Sequence, residues 1–351
     1  HKDDQPFHRI PSLSKKLFRS FIIAIGDDAV THLLKLLQVR ICLYVGGDNM
    51  IISASRRTDI PTYYSEWFLN RIREGFVYVR NPMNIHQISK IALTPDIVDG
   101  IVFWTKNPTP MLPKLDELKD YVYYFQFTLN AYGKDIEANI PNKNDIIIPA
   151  FRELSRKIGA ERVIWRYDPI LLTSKYTIDY HVKYFEEIAK RLSGYTLKCV
   201  ISFLDIYRNT KTNLKGSDLL PLQETEMLVL AMKLSDIAHK YHLAVESCAE
   251  RINLEQFGIS HGHCIDGNLF QRLLGQKLDL DKDPNQREEC SCMASIDIGM
   301  YNTCKNGCLY CYANHSRIVN KVLWGWEFEG CINKVSPKTG RKPILGLTLT
   351  N

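Results

Sequence analysis

The stretch Ile51-Ile-Ser-Ala-Ser-Arg-Arg-Thr-Asp-Ile-Pro61 shows a pattern that the chain repeats up to about residue 300. A short apolar run, Ile51–Ser55, ends in charged residues, and a segment with helical spacing, Tyr64–Glu74, follows it. Short apolar or β-branched runs that alternate with amphipathic segments of helix length are typical of βα units and a parallel sheet. The sequence therefore predicts an α/β fold.

Seven strands and five helices are predicted from this pattern. The strands are Ile51–Ser55, Gly100–Thr105, Tyr123–Leu129, Arg162–Tyr167, Cys199–Leu204, Leu243–Ser247 and Ser295–Met300. The helices are Tyr64–Glu74, Pro110–Lys119, Asp145–Lys157, Ile178–Leu192 and Glu224–Tyr241. Six or seven βα units favour a closed or partial (β/α) barrel of the TIM type over an open doubly wound sheet.

Polar and charged residues follow nearly every predicted strand. In barrels the chemistry lies at the carboxyl ends of the strands, so we expect these side chains to meet at one rim. Loops are polar in any protein, but Arg166 and Glu246 lie within or next to strands, where a purely structural barrel would have apolar residues. The candidates are Arg56, Arg57, Asp59, Lys106, Asn107, Arg166, Asp168, Glu246 and Glu250.

The body of the chain, residues 50–316, is expected to be the barrel, with a cysteine-rich segment at 248–316. Residues 1–49 read as an extension of uncertain value, with a short helix near Leu33–Leu37 and a short strand at Arg40–Val45, and residues 317–351 as an atypical tail. Of the net charge of +6, residues 1–49 hold +2 and residues 312–351 hold +4, so the segment between them is neutral. Clustered cations are needed to displace phosphate counterions, so nucleic acid is not the favoured partner, although a local basic mouth is compatible with this charge.

Ten cysteines are unevenly distributed, and seven of them fall between Cys248 and Cys311. No apolar run approaches the ~18 residues of a membrane helix. The apolar stretch Ser20–Gly26 is followed by Asp27–Asp28 rather than by a cleavage site, so we expect no export and a cytoplasmic location. A dense cluster of cysteines in such a chain favours metal over disulfides.

The strongest motif is Cys304-Lys-Asn-Gly-Cys308-Leu-Tyr-Cys311. Three thiolates at this spacing can bind three irons of a [4Fe–4S] cube and leave the fourth open, and Gly307 permits a tight backbone path. The open iron can chelate the amino and carboxylate groups of S-adenosylmethionine. Reductive cleavage then gives a 5′-deoxyadenosyl radical, a chemistry that the cofactor carries and the protein positions.

This motif, with Tyr310 before the third cysteine, resembles the radical S-adenosylmethionine superfamily. Zinc sites and chance also produce the spacing. In that superfamily the motif follows the first barrel strand near the N-terminus, whereas here it follows six predicted βα units. A circular permutation, with the strand before Cys304 lying against the strand at Ile51, would reconcile the two arrangements.

A wider resemblance covers roughly residues 50–316. The motifs Ile51–Pro61, Phe103–Pro108, Trp165–Pro169 and Tyr301–Asn314 resemble an uncharacterised bacterial family, domain of unknown function 1848. That family is similar to radical S-adenosylmethionine proteins in its cysteine cluster, and more distantly to the spore photoproduct lyase group of DNA-repair enzymes. The resemblance implies an iron–sulfur protein but no settled activity.

Four further cysteines, Cys248, Cys264, Cys290 and Cys292, match the number that saturates an auxiliary [4Fe–4S] cluster or a structural zinc ion. A mixture of free thiols and core residues is the third interpretation, because small buried cysteines are common. Cys199 is expected in the core.

Roles for the rim residues are hypotheses with plain alternatives. Arg56 and Arg57 could bind a phosphate or carboxylate, or pair with Asp59. Lys106 and Asn107 could contact the S-adenosylmethionine carboxylate or a substrate, and Tyr310 is expected against the adenine. The other four rim residues also have two interpretations each: Arg166 and Asp168 could act in catalysis or pair with each other, and Glu246 and Glu250 could bind ribose hydroxyls or accept protons.

The leading hypothesis is a radical S-adenosylmethionine enzyme with a small-molecule or nucleotide-like substrate and a reducing partner of the flavodoxin or ferredoxin type. The rival is a non-catalytic binding protein stabilised by an iron–sulfur cluster or zinc. DNA-lesion repair is a substrate subcase of the first hypothesis, and the neutral body of the chain argues mildly against it.

Overall fold

A large parallel sheet forms the centre of the molecule. A computed structural model describes residues 40–44 and 50–314 except residue 280. The strands are β1 Arg40–Tyr44, β2 Ile51–Ala54, β3 Phe76–Asn81, β4 Asn84–Ala92, β5 Gly100–Thr105, β6 Tyr123–Thr128, β7 Val163–Ile170, β8 Lys198–Phe203, β9 Ala244–Ser247, β10 Ile259–His261 and β11 Ile296–Asp297.

The helices follow the strands as βα units require. They are α1 Ile60–Tyr63, α2 Ser65–Glu74, α3 Ile148–Ile158, α4 Ile178–Leu192, α5 Arg208–Asn213, α6 Glu224–Lys240 and α7 Gly267–Leu274. Single turns of 3₁₀ helix span Ala160–Arg162 and Glu255–Phe257, a longer 3₁₀ segment spans Leu112–Leu118, and a π-helical turn, Lys143–Ile147, leads into α3.

Eight strands pair in parallel in the order β10-β9-β8-β7-β6-β5-β2-β11. The last strand therefore lies beside the first strand of the sheet, with Ile296 opposite Ile52 and Asp297 opposite Ser53. The predicted contact between the strand before Cys304 and the strand at Ile51 is confirmed. Among the described residues, β10 and β11 form the two edges of the sheet, so the structure shows a large parallel α/β sheet and no closed ring of strands.

The two faces of the sheet are covered differently. The helices that follow the strands pack on one face, where Trp165 stacks on Phe185 of α4 with ring centroids 4.7 Å apart. On the other face α7 and the cysteine-rich segment pack against Val102, Tyr124 and Val200. Because both faces are buried, the strands are almost continuously apolar, as parallel strands usually are.

Helix ends follow from capping residues. The side chain of Thr177 accepts a hydrogen bond from the Tyr180 N–H at the start of α4, and Gln223 forms a capping box with Glu226 at the start of α6. Helix α2 ends at Gly75, which has a φ of 75°, a conformation that glycine adopts at little cost. The limits predicted for α4 agree with the structure.

A small second sheet has the order β1-β4-β3. Strands β3 and β4 form an antiparallel hairpin, and β1 pairs in parallel with β4, from Arg40 opposite Gln87 to Tyr44 opposite Ile91. The predicted strand at Arg40–Val45 is thus present, while the helix predicted near Leu33–Leu37, the tail 317–351 and Cys331 lie outside the described residues. Within the described part of the chain, no helix combines the length and apolar character that a membrane span requires.

Candidate functional site

A cavity of about 800 Å³ opens where the strands β2, β5, β7 and β8 end. All seven cysteines between residues 248 and 311 line it, and so do six of the predicted rim residues and Tyr310. The structure thus brings these predicted strand-end residues and both cysteine groups together at one site. The predicted residues in the lining are Arg56, Arg57, Asp59, Lys106, Arg166, Asp168, Tyr310, Cys248, Cys264, Cys290, Cys292, Cys304, Cys308 and Cys311.

The loop that carries Cys304, Cys308 and Cys311 is placed by β11. In β11, the carboxylate of Asp297 accepts hydrogen bonds from the hydroxyls of Ser53 at 2.7 Å and Ser55 at 2.6 Å. It also accepts one from the backbone N–H of Arg56 at 2.8 Å. These bonds fix the chain before the cysteine loop to the end of β2.

Residues 136–139 support the same loop through the backbone. Glu137 forms an antiparallel β-bridge with Cys308, and the N–H of Leu309 donates to the carbonyl of Ile136 at 3.0 Å. Gly307 has a φ of 67°, which agrees with the predicted tight turn at this position. The three cysteines are thus held on a braced loop, with Cys308 buried and Cys304 and Cys311 partly exposed.

A buried carboxylate that the sequence analysis missed lies behind Cys308. Glu137 is 1% exposed, and its two oxygens accept hydrogen bonds from Lys106 at 2.8 Å and from Lys143 at 2.5 Å. The hydroxyl of Tyr310 donates to the same carboxylate. Burial opposes the charge of Glu137, but the two ammonium groups lower its pKa. No local motif marks Glu137, because its partners come from three other segments.

Asp59 is a structural centre of the rim. Its Oδ1 accepts hydrogen bonds from Thr62 N at 3.1 Å and Thr105 Oγ1 at 2.8 Å. Its Oδ2 accepts from Lys106 N at 2.9 Å and Asn306 Nδ2 at 3.0 Å. Four donors saturate the carboxylate, so Asp59 ties α1 and β5 to the cysteine loop, and burial raises its pKa.

Neither Arg56 nor Arg57 forms the predicted pair with Asp59. Arg56 lies 3.9 Å from Asp283 and 5.5 Å over the ring of Trp104, and Arg57 lies 4.0 Å from Asp297. The alternative of an Arg–Asp59 pair is wrong, because Asp59 is already saturated by other donors. Nη2 of Arg56 is buried and has no hydrogen-bond partner within the described part of the chain.

Arg166 and Asp168 do pair with each other, with Nη2 of Arg166 2.6 Å from the carboxylate. Arg166 also donates to the sulfur of Cys264 at 3.0 Å, and Asp168 accepts a hydrogen bond from the hydroxyl of Ser202. This ion pair therefore joins the strand ends of β7 and β8 to the cysteine-rich segment.

The four cysteines outside the motif form a second group. The sulfur atoms of Cys248 and Cys264 are 3.1 Å apart, and the N–H of Cys264 donates to the sulfur of Cys292 at 3.2 Å. The sulfur of Cys292 also accepts a hydrogen bond from the N–H of Ile265 at 3.4 Å. Among the described residues, no group of three or more cysteine, histidine or acidic side chains is arranged around a common point as ligands of one metal ion.

Comparison with protein families places most of the chain in one family. A family model described as a domain of unknown function (DUF1848) matches residues 51–313. The chain belongs to the DUF1848 family. No curated protein matches the chain. The DUF1848 region covers 263 of the 351 residues, from β2 to just beyond Cys311, and therefore contains the whole parallel sheet and every residue of the cavity wall except Asn314.

Three predicted residues lie away from the cavity wall of this DUF1848 chain. The carboxylate of Glu246 pairs with Lys198 at 2.8 Å and lines a second cavity of about 370 Å³. Contrary to the prediction, Glu246 does not line the large cavity. Gly262 packs against its side chain, so closely that a Cβ on Gly262 would lie 2.8 Å from its Oε2.

Glu250 and Asn107 have local structural roles. Glu250 accepts a hydrogen bond from the N–H of Phe203 at 2.8 Å, at the end of β8, and burial raises its pKa to about 7. The side chain of Asn107 accepts hydrogen bonds from Thr109 and closes a turn. Neither residue lies in the DUF1848 cavity wall, so the roles predicted for them have no geometric support.

Proposed function

We propose that the chain is an iron–sulfur enzyme of the radical S-adenosylmethionine type, in which Cys304, Cys308 and Cys311 bind a [4Fe–4S] cluster. The observation that carries the proposal is that these three thiols, all on one loop, line an 800 Å³ cavity together with cationic side chains. Thiolates are the ligands that such clusters require, and the cavity leaves room for a small molecule beside them.

The donor set suits a cluster better than a single ion. Three cysteines with no histidine or acidic partner are soft sulfur ligands, which select iron–sulfur clusters among biological metal centres. In a cube each thiolate binds a different iron, so the three sulfur atoms need not converge on one point, and the described residues contain no group that does. When bound by these cysteines, such a cluster would supply the one-electron reduction that cleaves S-adenosylmethionine to methionine and a 5′-deoxyadenosyl radical.

The surrounding residues have separable roles in this proposal. Lys143 and Glu137 hold Lys106 and Tyr310 beside Cys308, and Asp59 holds the loop through Asn306. Lys106 and Tyr310 would face the bound S-adenosylmethionine. Arg56, whose Nη2 is buried without a partner within the described part of the chain, would bind an anionic group of the substrate.

The strand order supports a finer interpretation of the fold. A sheet that runs β11-β2-β5-β6-β7-β8-β9-β10 matches a partial (β/α) barrel in which the strand before the cysteine loop is the first, although it comes last in the chain. We propose that this is a circularly permuted relative of the radical S-adenosylmethionine barrel, since the motif then follows the first strand.

The proposal also specifies partners and a compartment. The reaction needs an external one-electron donor, which we assign to the flavodoxin or ferredoxin class. The substrate would be a small or nucleotide-like molecule of a size that fits the cavity, and the reducing conditions that such a cluster needs place the protein in the cytoplasm.

The test is formation of 5′-deoxyadenosine. The chain is reconstituted anaerobically with iron and sulfide, reduced with dithionite and mixed with S-adenosylmethionine, and the product is measured by mass spectrometry. We expect 5′-deoxyadenosine from the parent and at least a hundredfold less from Cys308→Ala. Cys199→Ala, which changes a buried cysteine of β8 outside the cavity wall, is the matched control and keeps the activity.

Because cleavage can require substrate, a second measurement accompanies the first. Addition of S-adenosylmethionine should change the electron paramagnetic resonance spectrum of the reduced cluster. A chain that binds a cluster but shows neither the product nor the spectral change would support a non-catalytic metal-stabilised protein instead.

A further inference from the structure

We propose that Cys248, Cys264, Cys290 and Cys292 bind one divalent metal ion, Zn²⁺, in a tetrahedral site of four thiolates within the wall of the same cavity. This site is separate from the proposed cluster on Cys304–Cys311 and does not depend on it.

Three separate segments bring the four cysteines together. Cys248 follows β9, Cys264 follows β10, and the pair Cys290 and Cys292 precedes β11. The sulfur atoms of Cys248 and Cys264 lie 3.1 Å apart, and the sulfur of Cys292 lies 3.2 Å from the backbone nitrogen of Cys264. Cys290, two residues before Cys292, lines the same cavity wall. Three segments that are far apart in sequence thus bring four thiols, the number that closes a structural zinc site, into one cavity wall. Among the described residues these sulfur atoms do not surround a common point, so binding would draw them together around the ion.

The spacing of the sulfur atoms favours one ion over a cluster. With Zn–S bonds of about 2.3 Å, two sulfur atoms of a tetrahedral site lie about 3.8 Å apart. The 3.1 Å between Cys248 and Cys264 is therefore about 0.7 Å shorter than a zinc site requires, a difference that small side-chain rotations supply. A cube would separate the sulfur atoms further, because each would bind a different iron.

Hydrogen bonds to sulfur indicate a thiolate site. The sulfur of Cys292 accepts hydrogen bonds from the backbone N–H groups of Cys264 at 3.2 Å and Ile265 at 3.4 Å. Such bonds orient metal-bound thiolates and spread their charge, as outer partners do at metal sites generally. The backbone around Cys264 is thus already arranged for a charged sulfur at position 292.

The charge of the surroundings matches this site. One divalent ion with four thiolates carries a net charge of −2. Arg166 donates to the sulfur of Cys264 at 3.0 Å, and Arg56, whose Nη2 is buried without a hydrogen-bond partner within the described part of the chain, lines the same cavity as Cys264 and Cys292. Asp168 neutralises part of Arg166 and Asp283 lies 3.9 Å from Arg56, but two arginines in this cavity wall still supply cations that a buried anionic site needs.

The decisive experiment separates this site from the other cysteines. The full chain carrying Cys304→Ala, Cys308→Ala and Cys311→Ala is expressed with zinc, dialysed against a moderate chelator and analysed for metals and acid-labile sulfide. We expect about one zinc per chain and no sulfide. X-ray absorption at the zinc edge should show four sulfur neighbours at about 2.3 Å.

Substitution within the group supplies the control. Adding Cys292→Ser should reduce the retained zinc at least tenfold, whereas Cys199→Ala should leave it unchanged. If Cys292→Ser does not fold, X-ray absorption of the parent chain and of the triple variant still tests the proposal. Four sulfur neighbours around zinc would support the site, and fewer would contradict it.

Four results would overturn the zinc site. Iron and sulfide in equal amounts in the triple variant would show a second cluster, and zinc with fewer than four sulfur ligands would show adventitious binding. A Cys248–Cys264 disulfide, or four thiols that react freely with no metal retained, would show that the group is not a metal site. None of these outcomes depends on whether the chain cleaves S-adenosylmethionine.

Discussion

The ammonium group of Lys106 lies 2.8 Å from the carboxylate of Glu137, at a point where both side chains are almost wholly buried behind the cysteine loop. The second oxygen of the same carboxylate binds Lys143, so one carboxylate is the counter-ion of two ammonium groups. Buried ions are stable only when they are paired, because leaving water costs several kcal/mol per ion. Glu137 is therefore the charge on which the back wall of the site depends.

Glu137→Gln should destabilise the fold by roughly 3–5 kcal/mol, since it leaves two buried ammonium groups without a counter-ion. Urea unfolding of the parent and of Glu137→Gln measures the difference in the free energy of unfolding. The matched control is Asp135→Asn, which removes a carboxylate 3.0 Å from Lys175 on the surface and should cost less than about 1 kcal/mol. Equal losses for the two variants would show that the buried network is not a source of stability.

Asp59→Asn should cost roughly 1–3 kcal/mol, although the side chain keeps its shape. Each oxygen of Asp59 now accepts two hydrogen bonds, and the asparagine would replace one oxygen with an NH₂ group that points at two of these four donors. Those two buried donors would lose their acceptor, which costs free energy of folding. Thermal unfolding measures the loss. Asp218→Asn is the control, because this exposed residue accepts hydrogen bonds from Ser174 at the surface and an amide oxygen can do the same. A loss at Asp59 no larger than at Asp218 would contradict the central role of Asp59.

Gly100→Ala and Phe270→Leu should compensate each other. A Cβ on Gly100 would lie 2.1 Å from the ring of Phe270 in α7, so the alanine alone should cost about 1–3 kcal/mol by overpacking. The shorter leucine makes room, and the double variant should be more stable than the sum of the single changes predicts, by about 1 kcal/mol.

A second pair of variants tests whether that coupling is local. Phe151 packs on Phe127, in the core on the other face of the sheet. The losses of stability caused by Phe151→Leu and Gly100→Ala should therefore add, with no coupling energy between them. Denaturant unfolding of the single and double variants gives both coupling energies. If the stability losses of Gly100→Ala and Phe270→Leu are strictly additive, Phe270 of α7 does not pack against Gly100 of β5.

The sequence was most informative where secondary structure is determined by local pattern. Every predicted strand is present, since apolar runs bounded by polar residues report burial on both faces. The hairpin of Phe76–Asn81 and Asn84–Ala92 was missed because its strands mix charged and apolar residues, which a half-exposed antiparallel pair tolerates. The short strand β10 was missed because three residues give no periodicity.

Rim residues were predictable when they lie in a strand or directly after one, because the direction of the strand then places them. Arg166 and Asp168 lie in β7 and line the cavity, as expected. Glu246 also lies in a strand, but Gly262, which directly follows β10, packs against its side chain, and no local pattern reports that contact. Glu137 lies in a loop, and its importance comes from contacts with Lys106 and Tyr310, which are far away in sequence.

His181 should make the stability of the fold depend on pH. Its Nδ1 lies 2.8 Å from the hydroxyl of Tyr167 and its Nε2 lies 2.9 Å from the carbonyl of Leu171, so the neutral ring has both of its hydrogen bonds. Burial lowers the pKa of His181 to about 4, from the usual value of 6.5. The folded protein therefore takes up this proton only at about pH 4, whereas the unfolded chain takes it up near pH 6.5.

The sign of the effect follows from that difference. Above pH 6.5 both states are neutral at His181 and its contribution to stability is complete. As the pH falls from 6.5 to 4, only the unfolded chain gains the proton, so the free energy of unfolding should decrease by about 3 kcal/mol and then level off. Urea midpoints across this range measure the loss, and subtracting the profile of His181→Phe removes the contribution of the carboxylates. His86→Gln, at an exposed histidine of β4, is the matched control and should keep the parent slope. If His181→Phe and the parent lose stability in parallel as the pH falls, the ring is protonated as easily in the fold as in the unfolded chain.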